Sequence, residues 1–117
     1  MSDPRLETLR RSNVPYVVVV GASDNVVAAC RYAAAVGASA LVEACGVEDL
    51  ATTVATWRPI AIVVSEDVYD FDAAEFDALA RDAGGVVVTL PARELTDLEL
   101  RAWLEKALSQ VASLRAP

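Results

Sequence analysis

The chain has 117 residues, with 10 basic against 17 acidic side chains, no histidine and a net charge of −7. That length supports one domain with a real core, and the acidic balance argues against a nucleic-acid partner because phosphate contacts need clustered Lys and Arg. The missing histidine removes the commonest general base and transition-metal ligand together, and with them any Ser-His-Asp or Cys-His mechanism carried within this chain.

Apolar residues make up 55% of the sequence. No run approaches the roughly 18 residues needed to span a bilayer, so no membrane partner is expected. Met1-Ser2-Asp3-Pro4-Arg5 lacks the apolar core of a signal peptide, which reads as a cytoplasmic chain. Cys30 and Cys45 fall on separate expected elements without metal-ligand spacing and are expected as buried free thiols.

Residues 1–14 read as a polar N-terminal extension ahead of a single α/β domain over 15–115. A short helix is expected in the extension, with Asp3 as cap, Pro4 in the first turn, and Leu6 and Leu9 on one side. Tyr16 to Val20 are β-favouring without alternation, the pattern of a strand buried on both faces at the centre of a parallel sheet. Gly21 permits positive φ or close backbone approach, and Ser23 or Asp24 can cap the helix that follows. This helix is expected from about Asp24 to Val36, with Gly37 as its left-handed terminator. A short strand nearer an edge follows over Ala40–Glu43. The next helix starts near Val47, carries Leu50, Val54 and Trp57 on one face, and ends at Arg58-Pro59.

Ile60 to Val64 reads as a second central strand, followed by a loop from Ser65 to Asp72. A third helix over Asp72–Ala83 buries Phe76, Leu79, Ala80 and Ala83 and stops at Gly84-Gly85. The last strand, Val86–Leu90, is broken by Pro91. Thr96 and Glu99 form a capping box, and Leu100, Trp103, Leu104, Ala107, Leu108, Val111 and Leu114 then repeat at helical steps. Serial β-α units predict an open parallel sheet of four, at most five, strands with right-handed crossovers and helices on both faces.

Two passages, in this order, carry a family likeness. Glu43-Ala44-Cys45-Gly46-Val47-Glu48-Asp49-Leu50 and Arg58-Pro59-Ile60-Ala61-Ile62-Val63-Val64-Ser65 resemble the second and third β-α units of a bacterial receiver domain, the phosphoacceptor module of two-component signalling. The resemblance covers roughly residues 15–108 and implies a flavodoxin-like three-layer sandwich. Receivers hold Mg²⁺ on an acidic pair after the first strand, where this chain has Gly21 and Ala22. The phosphoacceptor aspartate aligns with Ser65. Thr89 stands either for the Thr or Ser at the end of strand four or, with Leu90 and Pro91, for the Lys-Pro pair after strand five. The interval before the last helix is too short for two further β-α units, so one is missing. The resemblance therefore implies a degenerate, pseudo-receiver domain without phosphorelay chemistry. Such a domain is expected to have no catalytic residue, cofactor or metal, and to work by contact with another protein in bacterial signalling or regulation.

Three groups of residues are candidate sites. Gly21, Ala22, Ser23 and Asp24, with Ser65, offer an alternative reading as a small Rossmann-like site for a nucleotide or coenzyme A, since backbone N–H groups at a helix start can cradle phosphate. The fuller glycine fingerprint is absent, and Asp24 opposes an anion. The stretch from Glu66 to Asp82 holds seven acids against Arg81 alone, and Glu66, Asp67, Asp70 and Asp72 read as an acidic docking face for a basic partner. Its spacing is not that of an EF-hand. The first helix is apolar almost all round Arg31, so an interface is expected there through Ala29, Arg31, Tyr32 and Ala35, most simply a homodimer. Coverage by residues 1–13 or by neighbouring helices is the alternative. An enzyme acting through Cys30 or Ser65 ranks last, because neither nucleophile has a base beside it.

Overall fold

In the computed structural model, which describes residues 14–115, the four apolar runs pair as parallel strands in the order β2-β1-β3-β4. These are β1 (Tyr16–Val20), β2 (Leu41–Cys45), β3 (Ala61–Ser65) and β4 (Val86–Leu90). Tyr16 lies opposite Leu41, Val17 opposite Ala61, and Ala61 opposite Val86. The absence of alternation in β1 and β3 is explained at once. Both are central, and Val17 to Val20 and Ala61 to Val64 are buried on the two faces of the sheet.

The helices divide between those faces. Val17, Val19, Ala61 and Val63 pack under α1 (Asp24–Ala38) and α5 (Asp97–Arg115), through Cys30, Ala33, Leu104 and Leu108 among others. A 3-10 turn (Val47–Asp49) runs into α2 (Leu50–Trp57); α3 (Glu66–Phe71) leads into α4 (Ala73–Asp82). On that second face Val18, Val20, Ile62 and Val64 meet Leu50, Val54, Phe76 and Ala80. The result is a doubly wound, flavodoxin-like three-layer sandwich with the order reversing between β1 and β3. The helix expected around Asp3 to Leu9 lies outside the described residues. Among those described, no helix is long and apolar enough to cross a membrane.

Several details depart from the sequence expectations. Gly37 does not end the first helix; α1 continues to Ala38 and stops at Ser39, whose φ of 51° is left-handed, with the Ala40 N–H closing back on the Ala34 carbonyl at 3.0 Å. Gly37 serves packing instead. A Cβ there would lie 2.8 Å from Ser109 Oγ and 2.9 Å from the Glu105 carbonyl oxygen, so the missing side chain lets α5 approach α1. The segment expected as a loop after Ser65 is the helix α3, started by Ser65, whose hydroxyl accepts the Val68 N–H, with Glu66 and Asp67 in its first turn.

Another concerns α1 itself. Its second apolar face is covered from within the chain by α5, and Ala29 is 5% exposed and interior. Ala29 therefore cannot belong to an outward interface of this fold. Arg31, Tyr32 and Ala35 do face outward. Arg31 donates to the Val42 carbonyl at 3.1 Å, and Arg101 lies over the Tyr32 ring at 5.2 Å, so both side chains have partners within the chain. Trp57, expected as core, is half-buried and packs on the Tyr16 ring at 4.7 Å. Both cysteines are free, but only Cys30 is buried; Cys45 is half-buried. Burial pushes the Cys30 thiol up to about 12, which makes it a poor nucleophile.

Candidate functional site

Two of the concave regions among the described residues bear on the candidate residues. The first lies at the carboxyl ends of the strands. Gly21, at φ 59°, turns the chain out of β1 while its N–H still bonds the Cys45 carbonyl at 2.9 Å. Ser23 then caps α1 by accepting the Val26 N–H, leaving Asp24 exposed in the first helical turn. Ser65 does the same for α3 at the end of β3. Because β1 and β3 are neighbours, the two serines line one cavity of about 340 Å³, with Asn25, Pro91 and Arg93 on its other sides. Gly21, Ala22 and Asp24 are not part of its lining.

The chemistry available in this cavity is limited. Both hydroxyls are already committed as helix caps. Arg93 is its one cation, and Glu94 and Asp97 stand beside it. Arg93 also pairs with Glu99 at 3.8 Å. An anionic ligand would meet more carboxylates than guanidinium groups. Among the described residues, no group of His, Cys, Asp or Glu side chains could hold a metal ion.

The second region is an apolar groove of about 490 Å³ on the other helical layer. Its sides are the 3-10 turn and α2 against α3 and α4. Leu50, Val68 and Phe76 form the inner part; Val47, Ala51 and Phe71 form the outer part. Phe71 is 93% exposed and Val47 is 50% exposed, which is unusual for large apolar side chains that line one groove. Phe71 sits at the last position of α3, where the chain turns through Asp72 into α4. Its neighbour Tyr69 is held by its own hydroxyl, which donates to Asp77 at 2.8 Å, so α3 is pinned to α4 while Phe71 points away.

Carboxylates alone rim this groove: Glu48, Asp67, Asp72 and Glu75 line it, and no Lys or Arg does. Asp72 raises the Glu75 carboxyl above its ordinary value through a side-chain hydrogen bond and like charge, evidence of crowded negative potential. The acidic residues singled out in the sequence thus separate. Asp67 and Asp72 stand on the groove, Asp70 is exposed beside them, and Glu66 turns to the Ala92 N–H at 3.3 Å, tying α3 to the segment after β4. Phe71 was the residue that sequence reasoning missed. Its signal was an aromatic among Asp70 and Asp72, in a segment with no other reason to carry one.

Compared with known proteins, the chain matches no family model, no curated protein and no solved structure.

Proposed function

We propose that the chain is a non-catalytic, receiver-like module that acts through protein–protein contact in bacterial signalling or regulation. The observation that carries this reading is the acid-rimmed apolar groove with Phe71 at its lip, a surface that gains by being covered. The strand-end corner supports the non-catalytic half. Where the resemblance would require three carboxylates the chain has Gly21, Ala22 and Ser65, and the Ser65 hydroxyl is used as a cap. Serine does not form an acyl phosphate, and Gly21 and Ala22 stand where receivers carry the acidic pair that holds Mg²⁺.

One observation favours a second reading, a nucleotide or coenzyme A bound at the first strand-to-helix turn. Ser23 and Ser65 do converge on one cavity at the point where the strand order reverses. A single set of melting and mass measurements separates the readings. With acetyl phosphate and Mg²⁺ the chain is expected to gain no mass, and with ATP or coenzyme A its melting temperature is expected to stay unchanged. A ligand at 100 times its Kd would stabilise by about 2.7 kcal/mol, a shift easily seen. A stoichiometric phosphoryl adduct would sink the first reading; a melting temperature raised by ATP or coenzyme A would install the second.

A further inference from the structure

We propose that the groove between α2 and the α3–α4 pair receives an amphipathic helix of a partner protein, whose apolar stripe is flanked by Lys and Arg. This rests on the interaction reading above and gives it a site and a partner chemistry.

Three observations select that occupant. The first is the make-up of the walls. Every lining residue belongs to a helix, to the 3-10 turn or to the Asp72 junction, and none to a strand. No open backbone ladder borders the groove, so a peptide cannot be gripped by strand addition. Recognition has to come from side chains, as when a helix presents i, i+3, i+4 and i+7 anchors to a groove between helices. Phe71 and Val47 stand on opposite walls, placed to close over such anchors once they are seated.

The second is the rim. Glu48, Asp67, Asp72 and Glu75 surround the apolar lining without a single base, so charge complementarity calls for cations on both sides of the stripe. The third is what the rim excludes. A second copy docking the same face about a two-fold axis would set these four carboxylates against the same four, which disfavours self-association there. Nucleic acid and anionic membrane are repelled for the same reason. The chain's own residues 1–13 contain Leu6 and Leu9 with Arg5, Arg10 and Arg11, and are a competing occupant that the experiment has to distinguish.

The test uses the full chain and a labelled peptide of about 16 residues, roughly four helical turns. It carries Leu at i, i+3, i+4 and i+7 with Lys and Arg on both flanks. A matched peptide replaces every Lys and Arg with Glu. Fluorescence anisotropy is expected to show binding of the basic peptide only, weakening as salt is raised past the point where the Debye length falls below about 8 Å. Phe71→Ser, and separately Asp67→Lys with Glu75→Lys, are each expected to weaken it about tenfold or more. All three positions are exposed, so circular dichroism should stay native. Ala51→Glu, also exposed, blocks the groove independently.

Amide shifts on titration are expected in α2, α3 and α4. Equal binding of the acidic peptide, indifference to Phe71→Ser and Ala51→Glu, or shifts centred elsewhere would overturn the proposal. So would no binding at all by either peptide. Binding that appears only after residues 1–13 are removed would assign the groove to the chain's own segment and overturn it too. A chain that ignores the basic peptide yet stays silent to acetyl phosphate loses this inference alone; one that forms an acyl phosphate loses the functional reading beneath it.

Discussion

At Gly37 two opposing effects can be weighed. Inside a helix, Gly is worse than Ala by about 1 kcal/mol, so helix propensity alone recommends Gly37→Ala. Against that, the new Cβ would meet Ser109 Oγ at 2.8 Å and the Glu105 carbonyl oxygen at 2.9 Å. A hydroxyl can rotate away, but a carbonyl fixed in a helix cannot without moving α5. Overpacking of this kind costs about 1–3 kcal/mol, so it outweighs the propensity gain. Gly37→Ala is expected to lower the urea midpoint modestly and Gly37→Val to lower it further. A higher midpoint for the Ala variant would show that α1 and α5 have room to spare. Sequence alone suggested a terminator at this position because glycine near a helix end usually is one. The pairing partner that gives Gly37 its role lies on the last described helix, and no local signal names it.

The start of α5 was fully legible, because a capping box is a local motif whose bonds need no tertiary context. Thr96 Oγ1 accepts the Glu99 N–H, and Glu99 Oε1 accepts the Thr96 N–H, both at 3.2 Å. The Thr96 N–H first, and then the Thr96 side chain, hold the Glu99 carboxyl below its ordinary value of 4.5, with Arg93 assisting. A carboxyl lowered by folding adds stability that is present above its unfolded pKa and fades as pH falls through the folded one. The stability gap between the wild-type chain and Glu99→Gln should therefore be open at neutral pH and begin to close below pH 4.5. Denaturant titrations across that range would check it; a gap that widens in acid would contradict the capping account. The helix α3 was illegible for the opposite reason. Six residues with three acids and an outward aromatic have no apolar face to read, and the helix depends on Ser65 capping it and on Tyr69 bonding Asp77.

For the whole molecule, the strand set and its central pair followed from composition, since only strands covered on both faces can be valine throughout. The candidate groove did not follow. Its apolar lining comes from two stretches, 47–51 and 67–76, on either side of β3, and Val47, Val68 and Phe71 each look unremarkable until the fold sets α2 across from α3. The acidic rim was visible as a charge run, but its shape was not.

The division of the helices between two faces also bears on the order in which the chain can fold during synthesis. On the groove side, α2, α3 and α4 follow closely on the strands they cover, so that layer closes through near neighbours in sequence. On the other side α1 needs α5, with more than half of the described chain between them, and such distant contacts are made late. Domains begin to form as they leave the ribosome, amino end first. A nascent chain stalled before Asp97 is therefore expected to have its groove assembled while Ala29, Ala33 and Ala34 stay open to water. Limited proteolysis of stalled chains should cut within α1 and spare α2, the groove being formed before the other half of the core is sealed.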